Sequence, residues 1–417
     1  MNLERQRLIA SIVEASSIGE ASFLFKINED LLEDYIFYIS SDESSAILPS
    51  HAVDKDFTNT GAIRGLYKYK NVYILNSRTI DNLLLKKESL IEIDYSISLD
   101  TQTVSYFRRF FIEPENKGLP RDFKEFFNFI VQPEINADPM PHIIENIYNL
   151  INGGNRDEIF EVKCAYENFR NLDYNYYIKE NQFRFLIDNI EVKKVAKEQM
   201  SKEIQRLSDH RFVEEYERLF NIQYIIILIV AIIRWKYPKK AIDTKIYKYF
   251  EMCQEYIGLL SVRDANLAYV IFSGKSDFYS KIEKKSDDFI RKLKAMAWDI
   301  FHFRYLEKLT TLKINDNTDY FFPAICSFDK SFVQLIDFLK LKGLVYRKGS
   351  SEIYPFYAFG MEDMSELTEK GRKKIEEDFF NDEAIMNRHR NYKDKMNKLK
   401  ETIMSLEKEF FELKDIK

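Results

Sequence analysis

Cysteine is scarce in this 417-residue sequence, with Cys164, Cys253 and Cys326 far apart and no CxxC among them. An odd count without close spacing excludes a disulfide scaffold and a cysteine-built zinc site, and a reducing compartment, the cytoplasm, is the expected setting. Histidine is equally thin: His51, His142, His210, His302 and His389 form no HExxH and no helically spaced pair beside a suitable carboxylate. A histidine metal site is not expected. Glycine and proline number only 12 and 9, and no glycine takes part in GxGxxG, GxxxxGK(S/T) or GxSxG, so dinucleotide, P-loop and hydrolase-elbow chemistry have no anchor.

No charge of one sign dominates. Lys plus Arg total 62 against 67 Asp plus Glu, for a net charge of -5, so any polyanion would be held by local patches and not by a global field. The opening MNLERQRLIASIVEA reads as an amphipathic helix without the apolar core of an export signal. The longest apolar run, within Phe220 to Trp235, is about 12 residues against the roughly 20 needed to span a bilayer, so a buried helix is expected and no membrane partner.

What is present suits a mixed α and β protein of several units. The apolar fraction of 45% beside 31% charged residues supplies enough side chain for packed cores, and the length favours two or three of them. Residues 1–88 read as an N-terminal accessory region with an opening helix, a second helix over 29–39 and a polar loop over 40–61. In LIEIDYSISLD, residues 90–100, Ile91, Ile93, Tyr95, Ile97 and Leu99 alternate with polar residues, which predicts a strand. A helical block fills about 130–296. FFPAICSFD, residues 321–329, predicts a buried strand of a parallel sheet, and SFVQLIDFLKLKG predicts a helix after it. Residues 346–417 read as a wing-like segment and a helical tail, in which Tyr392, Met396, Leu399, Ile403, Leu406, Phe410 and Leu413 recur at heptad spacing. That stripe predicts either a homodimer through the tail or packing on the chain's own body.

With histidine and cysteine chemistry set aside, carboxylates remain. Asp100 ends the first strand, Glu167 lies in the helical segment FEVKCAYENFRNL, Asp299 stands among aromatics in KAMAWDIFHFRYLEKL, and Asp329 closes the second strand. An aspartate at the carboxyl end of a parallel strand faces the crevice where open α/β sheets bind ligands. An oxygen-only cage suits Mg²⁺ or Mn²⁺, which activate water for attack on phosphate. Each residue also has a plainer role: a strand-end aspartate caps the next helix, Asp299 could pair with Arg304 or Lys294, and Glu167 could lie on a solvated face.

The order strand-Asp-Thr, helical Glu, Asp in an apolar helix, and a strand ending Ser-x-Asp-Lys-x-Phe resembles the PIN-like nucleases, which include bacterial toxin ribonucleases. The likeness is carried by residues 90–104, 297–309 and 321–332. It implies a PIN-like α/β core over 89–345, interrupted by the helical block, and a metal-dependent endoribonuclease of toxin or phage-defence type. Asp100, Glu167, Asp299 and Asp329 would be metal ligands, Glu167 alternatively a water-orienting base, and Ser327 would position a carboxylate or water. Asp94, on the same strand face as Asp100, is the alternative first aspartate. RNA, single-stranded RNA included, is the implied partner. The basic clusters Lys193, Lys194 and Lys197, then Lys236, Lys239 and Lys240, then Lys281 to Lys294, would hold its backbone. Two other readings stay open: a non-catalytic helical assembly protein, and a winged-helix DNA-binding regulator built on residues 335–377.

Overall fold

The computed structural model describes residues 3–43, 54–85, 92–115, 117–151, 154–207, 209–280, 282, 288–311, 319–350 and 352–415. Its architecture is α/β, with two sheets inside a shell of helices.

The first sheet runs β4 (Asn71–Leu75), β1 (Tyr35–Ser41), β8 (Leu341–Arg347), β9 (Ile353–Tyr357), all antiparallel. The second runs β2 (Lys55–Asp56), β3 (Ala62–Gly65), β7 (Tyr320–Ser327), β5 (Ile93–Leu99), β6 (Ala137–Asp138). In it β6, β5 and β7 are parallel, while β3 is antiparallel to β7. Residues before 88 therefore place strands in both sheets, and the expected accessory region is woven into the body of the protein. The expected helix over 29–39 ends early, at α3 (Glu29–Leu32), and Tyr35 to Ile39 belong to the buried strand β1. Of the expected loop over 40–61, residues 44–53 lie outside the described residues, as do residues 90 and 91 of the first predicted strand.

The two sheets meet through aromatics: Tyr38 of β1 lies edge-on to Tyr320 and Phe322 of β7, at 6.1 and 5.5 Å between ring centroids. The outer face of the first sheet is covered by α1 (Leu3–Val13) and α2 (Ile18–Ile27) through Ile9, Ile12, Val13, Phe25, Phe37 and Val345. On the second sheet Ile97, Leu99, Ala324 and Cys326 pack against Val104, Phe107 and Phe110 of α5 (Thr101–Ile112) and Phe123, Phe126 and Phe127 of α6 (Phe123–Ile130). The alternation in β5 therefore marks an apolar face toward α5 and α6 and a face carrying Ser96, Ser98 and then Asp100.

Between β6 and β7 the chain is helical: α7 (Met140–Ile151), α8 (Arg156–Arg170), α9 (Tyr174–Glu180), α10 (Asn189–Arg206), α11 (His210–Lys236), α12 (Ile242–Tyr256), α13 (Val262–Phe272) and α14 (Phe289–Leu309). By length and composition α11 could cross a membrane, with a mean hydropathy of 1.7 over its best window, but 78% of that window is buried inside the protein. Its apolar side chains form the centre of the largest core, with α12, α13 and α14 around it.

At the carboxyl end, α15 (Lys330–Ile336) is shorter than predicted, because Leu341 to Arg347 enter β8. Strand β8 lies between β1 and β9, so the wing-like hairpin is built into the first sheet, with β9 as its edge. The helix before it buries Phe332, Val333, Leu335 and Ile336, and carries no basic face for a DNA groove. After α16 (Glu369–Phe379), the tail divides into α17 (Asp382–Asn397) and α18 (Leu399–Asp415). Leu399, Leu406 and Phe410 are fully buried, and Phe410 stacks on Trp235 of α11 at 4.3 Å. The stripe's α18 residues thus pack on the chain's own core, chiefly against α11, and Met396 of α17 is partly buried against the same core.

A candidate active site at the carboxyl end of the mixed sheet

Three parallel strands end side by side. Leu99 of β5 is in register with Cys326 of β7, and Ser98 with Asp138 of β6. Asp100, Ser327 and Asp138 therefore come to one edge of the sheet, with Asp329 one turn beyond Ser327. Asp94 pairs with Phe321 at the opposite end of β5, six residues or about 20 Å upstream, so register separates it from this edge.

Asp100 is 7% exposed. Its Oδ1 caps α5 by accepting the Thr103 amide at 2.6 Å, and its own amide donates to the Cys326 carbonyl at 3.2 Å. Burial pushes the Asp100 carboxyl up, while Ser327, Thr103 and His302 pull it down. Among the described residues no Lys or Arg stands within ion-pair distance of Asp100 or Asp138. Asp138 instead accepts the Ser98 hydroxyl at 3.0 Å and the Met140 amide at 2.9 Å. Asp329 caps α15, its Oδ1 accepting the Ser331 amide and hydroxyl at 3.0 and 2.6 Å and the Phe332 amide at 3.3 Å. The Ser327 hydroxyl accepts the Asp329 amide at 3.1 Å and fixes that turn. Burial, and then the charges of Asp100 and Asp329, push the Tyr106 hydroxyl of α5 up.

Two helices close the edge. From α7, Glu145 accepts the hydroxyl of Thr101, the residue after Asp100. From α14, His302 brings Nε2 to 3.8 Å from Glu145 Oε2. Burial would push the Glu145 carboxyl up, but His302, Thr101 and His142 more than offset it and hold it below its ordinary value. His142, one turn before Glu145, is buried and pushed down to about 3, first by that burial and then by the charge of Lys163. Lys163 of α8 is itself 4% exposed and pairs with Glu203 of α10 at 2.5 Å.

Of the residues expected from sequence, Asp100, Ser327 and Asp329 are brought together. Asp299 lies on α14, one turn before His302, and is half-buried. Glu167 is engaged elsewhere: it is 2% exposed, accepts the Gln199 amide of α10 at 2.7 Å and lies 3.7 Å from Arg170. It joins α8 to α10 and has none of the strand-end groups among its partners. The helical acid that does meet the strand ends is Glu145. Glu145 carries little sequence signal because the two-residue β6 before α7 shows no strand pattern, and His302 carries little because it has no second histidine at helical spacing. No group of three His, Cys, Asp or Glu side chains among the described residues converges closely enough to hold a metal ion.

The basic clusters are partly spent. Lys193, Lys194 and Lys197 are exposed on α10. Lys236 pairs with Glu409, Lys294 lies 3.7 Å from Glu407, and Arg291 pairs with Asp288. Lys281, Lys284 and Lys285 lie outside the described residues. Comparison with known proteins finds no matching family model, no matching curated protein and no matching solved structure.

Proposed function

We propose that this edge is the active site of a PIN-like, metal-dependent nuclease that hydrolyses phosphodiester bonds, in RNA rather than DNA. The observation that carries the reading is the registered pair of parallel strands β5 and β7, which delivers Asp100 and Asp329 to adjacent strand ends with Ser327 between them. The preference for RNA, and a role in toxin or phage-defence systems, rest on the resemblance of residues 90–104, 297–309 and 321–332 to that family.

The donor set fits Mg²⁺ or Mn²⁺ in chemistry: it is made of carboxylates and hydroxyls. It fits in charge as well, since Asp100 is buried with no Lys or Arg beside it among the described residues, and a buried carboxylate without a counter-charge is costly. Asp100, Asp329, Asp299 and Glu145 are the residues that would hold the ion, and they would have to draw together as it binds. Such an ion supplies charge for the phosphate oxygens and lowers the pKa of a bound water. The chain's own residues fix the rest. The capping bonds of Asp100 and Asp329 all fall on Oδ1, Ser327 sets the turn that carries Asp329, and the Thr101 hydroxyl orients Glu145.

The test is cleavage of single-stranded and structured RNA and DNA with Mg²⁺ or Mn²⁺, against EDTA. Asp100→Asn and Asp329→Asn keep a good helix cap and should fold yet lose cleavage. Glu145→Gln should lose it and Glu167→Gln should keep it. Loss in Glu167→Gln with retention in Glu145→Gln would return the helical acid to α8. Absence of metal-dependent cleavage by the wild-type chain on any of these substrates would remove the nuclease reading.

A further inference from the structure

His302 is an unusual core histidine. It is 3% exposed, and neither Nδ1 nor Nε2 has a hydrogen-bond partner among the described residues. An enclosed polar group without a partner costs about 1–3 kcal/mol, so a ring kept only for packing would be better replaced by Phe or Leu. Its place is tightly held. The ring stacks on Trp298 at 5.4 Å, with an interplanar angle of 21°, and Phe301 meets it nearly edge-on at 5.7 Å. These contacts leave Nε2 aimed at Glu145 Oε2 across 3.8 Å, about 0.9 Å longer than a usual N–H···O bond. The same Oε2 accepts the Thr101 hydroxyl, and Thr101 follows Asp100 directly.

We infer that His302 is a positioning residue for Glu145, its Nε2–H closing onto Glu145 Oε2 to fix the carboxylate between Thr101 and the strand ends. The inference rests on the nuclease reading for its catalytic consequence, though not for the contact itself. Closure takes a side-chain shift of under 1 Å by Glu145, which sits on α7 and is less enclosed than His302. It satisfies the orphaned Nε2 and leaves Glu145 with two donors on one oxygen and its second oxygen outside that pair of bonds. The aromatic clamp of Trp298 and Phe301 supplies the rigidity that positioning requires. Asp299 lies one turn away on the same helix, so one rigid element would bring both Asp299 and the group that steers Glu145.

The experiment uses the full chain labelled with ¹⁵N-histidine. Nitrogen-proton correlation spectra assign His302 by its disappearance in His302→Gln. The expected wild-type signature is the Nε2–H tautomer, with a shift that moves clearly in Glu145→Gln and not in Glu167→Gln. Cleavage is measured alongside. His302→Gln, which keeps a donor at similar reach, should lower kcat about tenfold with KM for RNA nearly unchanged, and His302→Leu should lower it about a hundredfold. Unchanged His302 signals in a folded Glu145→Gln variant, or equal kcat for the Gln and Leu variants, would overturn the inference. If the wild-type chain cleaves nothing, the nuclease reading fails and the spectra alone still decide whether His302 and Glu145 are paired.

Discussion

Replacing Asp122 by Ala should destabilise the protein and release the loop beside Ser327. Asp122 stands just before α6 and is 3% exposed. Its Oδ2 accepts three successive backbone amides of the β2–β3 loop: Asn59 at 3.0 Å, Thr60 at 2.6 Å and Gly61 at 2.7 Å. The next residue, Ala62, pairs with Ser327, so the clamp sets the position of the backbone beside Ser327. Hydrogen bonds to a charged acceptor are worth about 1.5–3 kcal/mol each, and deletion also strands buried donors. Three bonds to one oxygen are not additive, and a loss of about 4 kcal/mol is the working figure. For 417 residues at about 2.1 cal/mol/K per residue, the unfolding entropy is about 0.9 kcal/mol/K, so Tm should fall by about 4–5 °C in a single cooperative transition. Asp122→Asn, which keeps one acceptor, should cost about half as much. Glu125, on the exposed side of the same loop, accepts Thr58 at 3.0 Å, and Glu125→Gln should cost under about 1 kcal/mol. Calorimetry reads the Tm, and amide exchange at residues 58–61 reads the loop. A change below about 1 °C in Asp122→Ala, with unchanged exchange at those residues, would refute the clamp.

Phe410→Ala empties the space between Trp235 and Phe289, whose rings lie 4.3 and 5.0 Å away. It should cost about 3–5 kcal/mol in thermal or denaturant unfolding while leaving the sedimentation coefficient of the folded protein unchanged; a change in association state would restore the tail as an interface. Arg263, 1% exposed, pairs with Asp264 at 2.5 Å, so Arg263→Met strands a buried carboxylate and should cost about 3–5 kcal/mol, of which Asp264→Asn in the same chain should recover part. Failure of the double variant to recover would place the cost in packing. His142, enclosed near Lys163, Glu145 and His302, is held down to about 3 against about 6.5 when unfolded. Unfolding between those values takes up a proton, so this contribution is complete above about pH 6.5 and is lost toward pH 3, by about 1.4 kcal/mol per pH unit. Urea midpoints at pH 4, 5, 6 and 7 should therefore fall less steeply with acid in His142→Gln than in the wild type; parallel slopes would mean that His142 is not the group being protonated.

The strands that carry the site were legible because their patterns are unambiguous. LIEIDYSISLD alternates and FFPAICSFD is continuously apolar, and both end on an aspartate. Neighbouring elements were not legible for definite reasons. Tyr35 to Ile39 is a five-residue apolar run, which satisfies a helical or a strand period equally, and β1 won because it pairs on both edges with β4 and β8. The first sheet draws on both ends of the chain, and no local signal reports pairing between residues as far apart as Tyr35 and Arg347. Chain order placed an acid on a helix between the two strands, but order says nothing of which way a helix face turns. Glu167 turned toward α10, and Glu145, after a two-residue strand, turned toward Thr101.

The plain and the functional readings of Asp100 and Asp329 are not exclusive. Each caps a helix through Oδ1, and a cap alone is sufficient reason for an aspartate after a strand. A cap does not, however, require burial, and Asn or Ser would cap α5 as well without a charge. Asp100 keeps its carboxylate where burial raises its pKa. A carboxyl whose folded value lies above its unfolded value gains stability as pH falls through the folded value and loses it above, so at neutral pH the ionised side chain works against the fold. A cation bound beside Asp100 reverses that balance by favouring the ionised form. A destabilised carboxylate suits the proposed metal site better than a purely structural cap, so on the proposed reading Asp100→Asn should be harmless or stabilising to the folded chain without metal and should lose the cleavage that reading assigns to the chain.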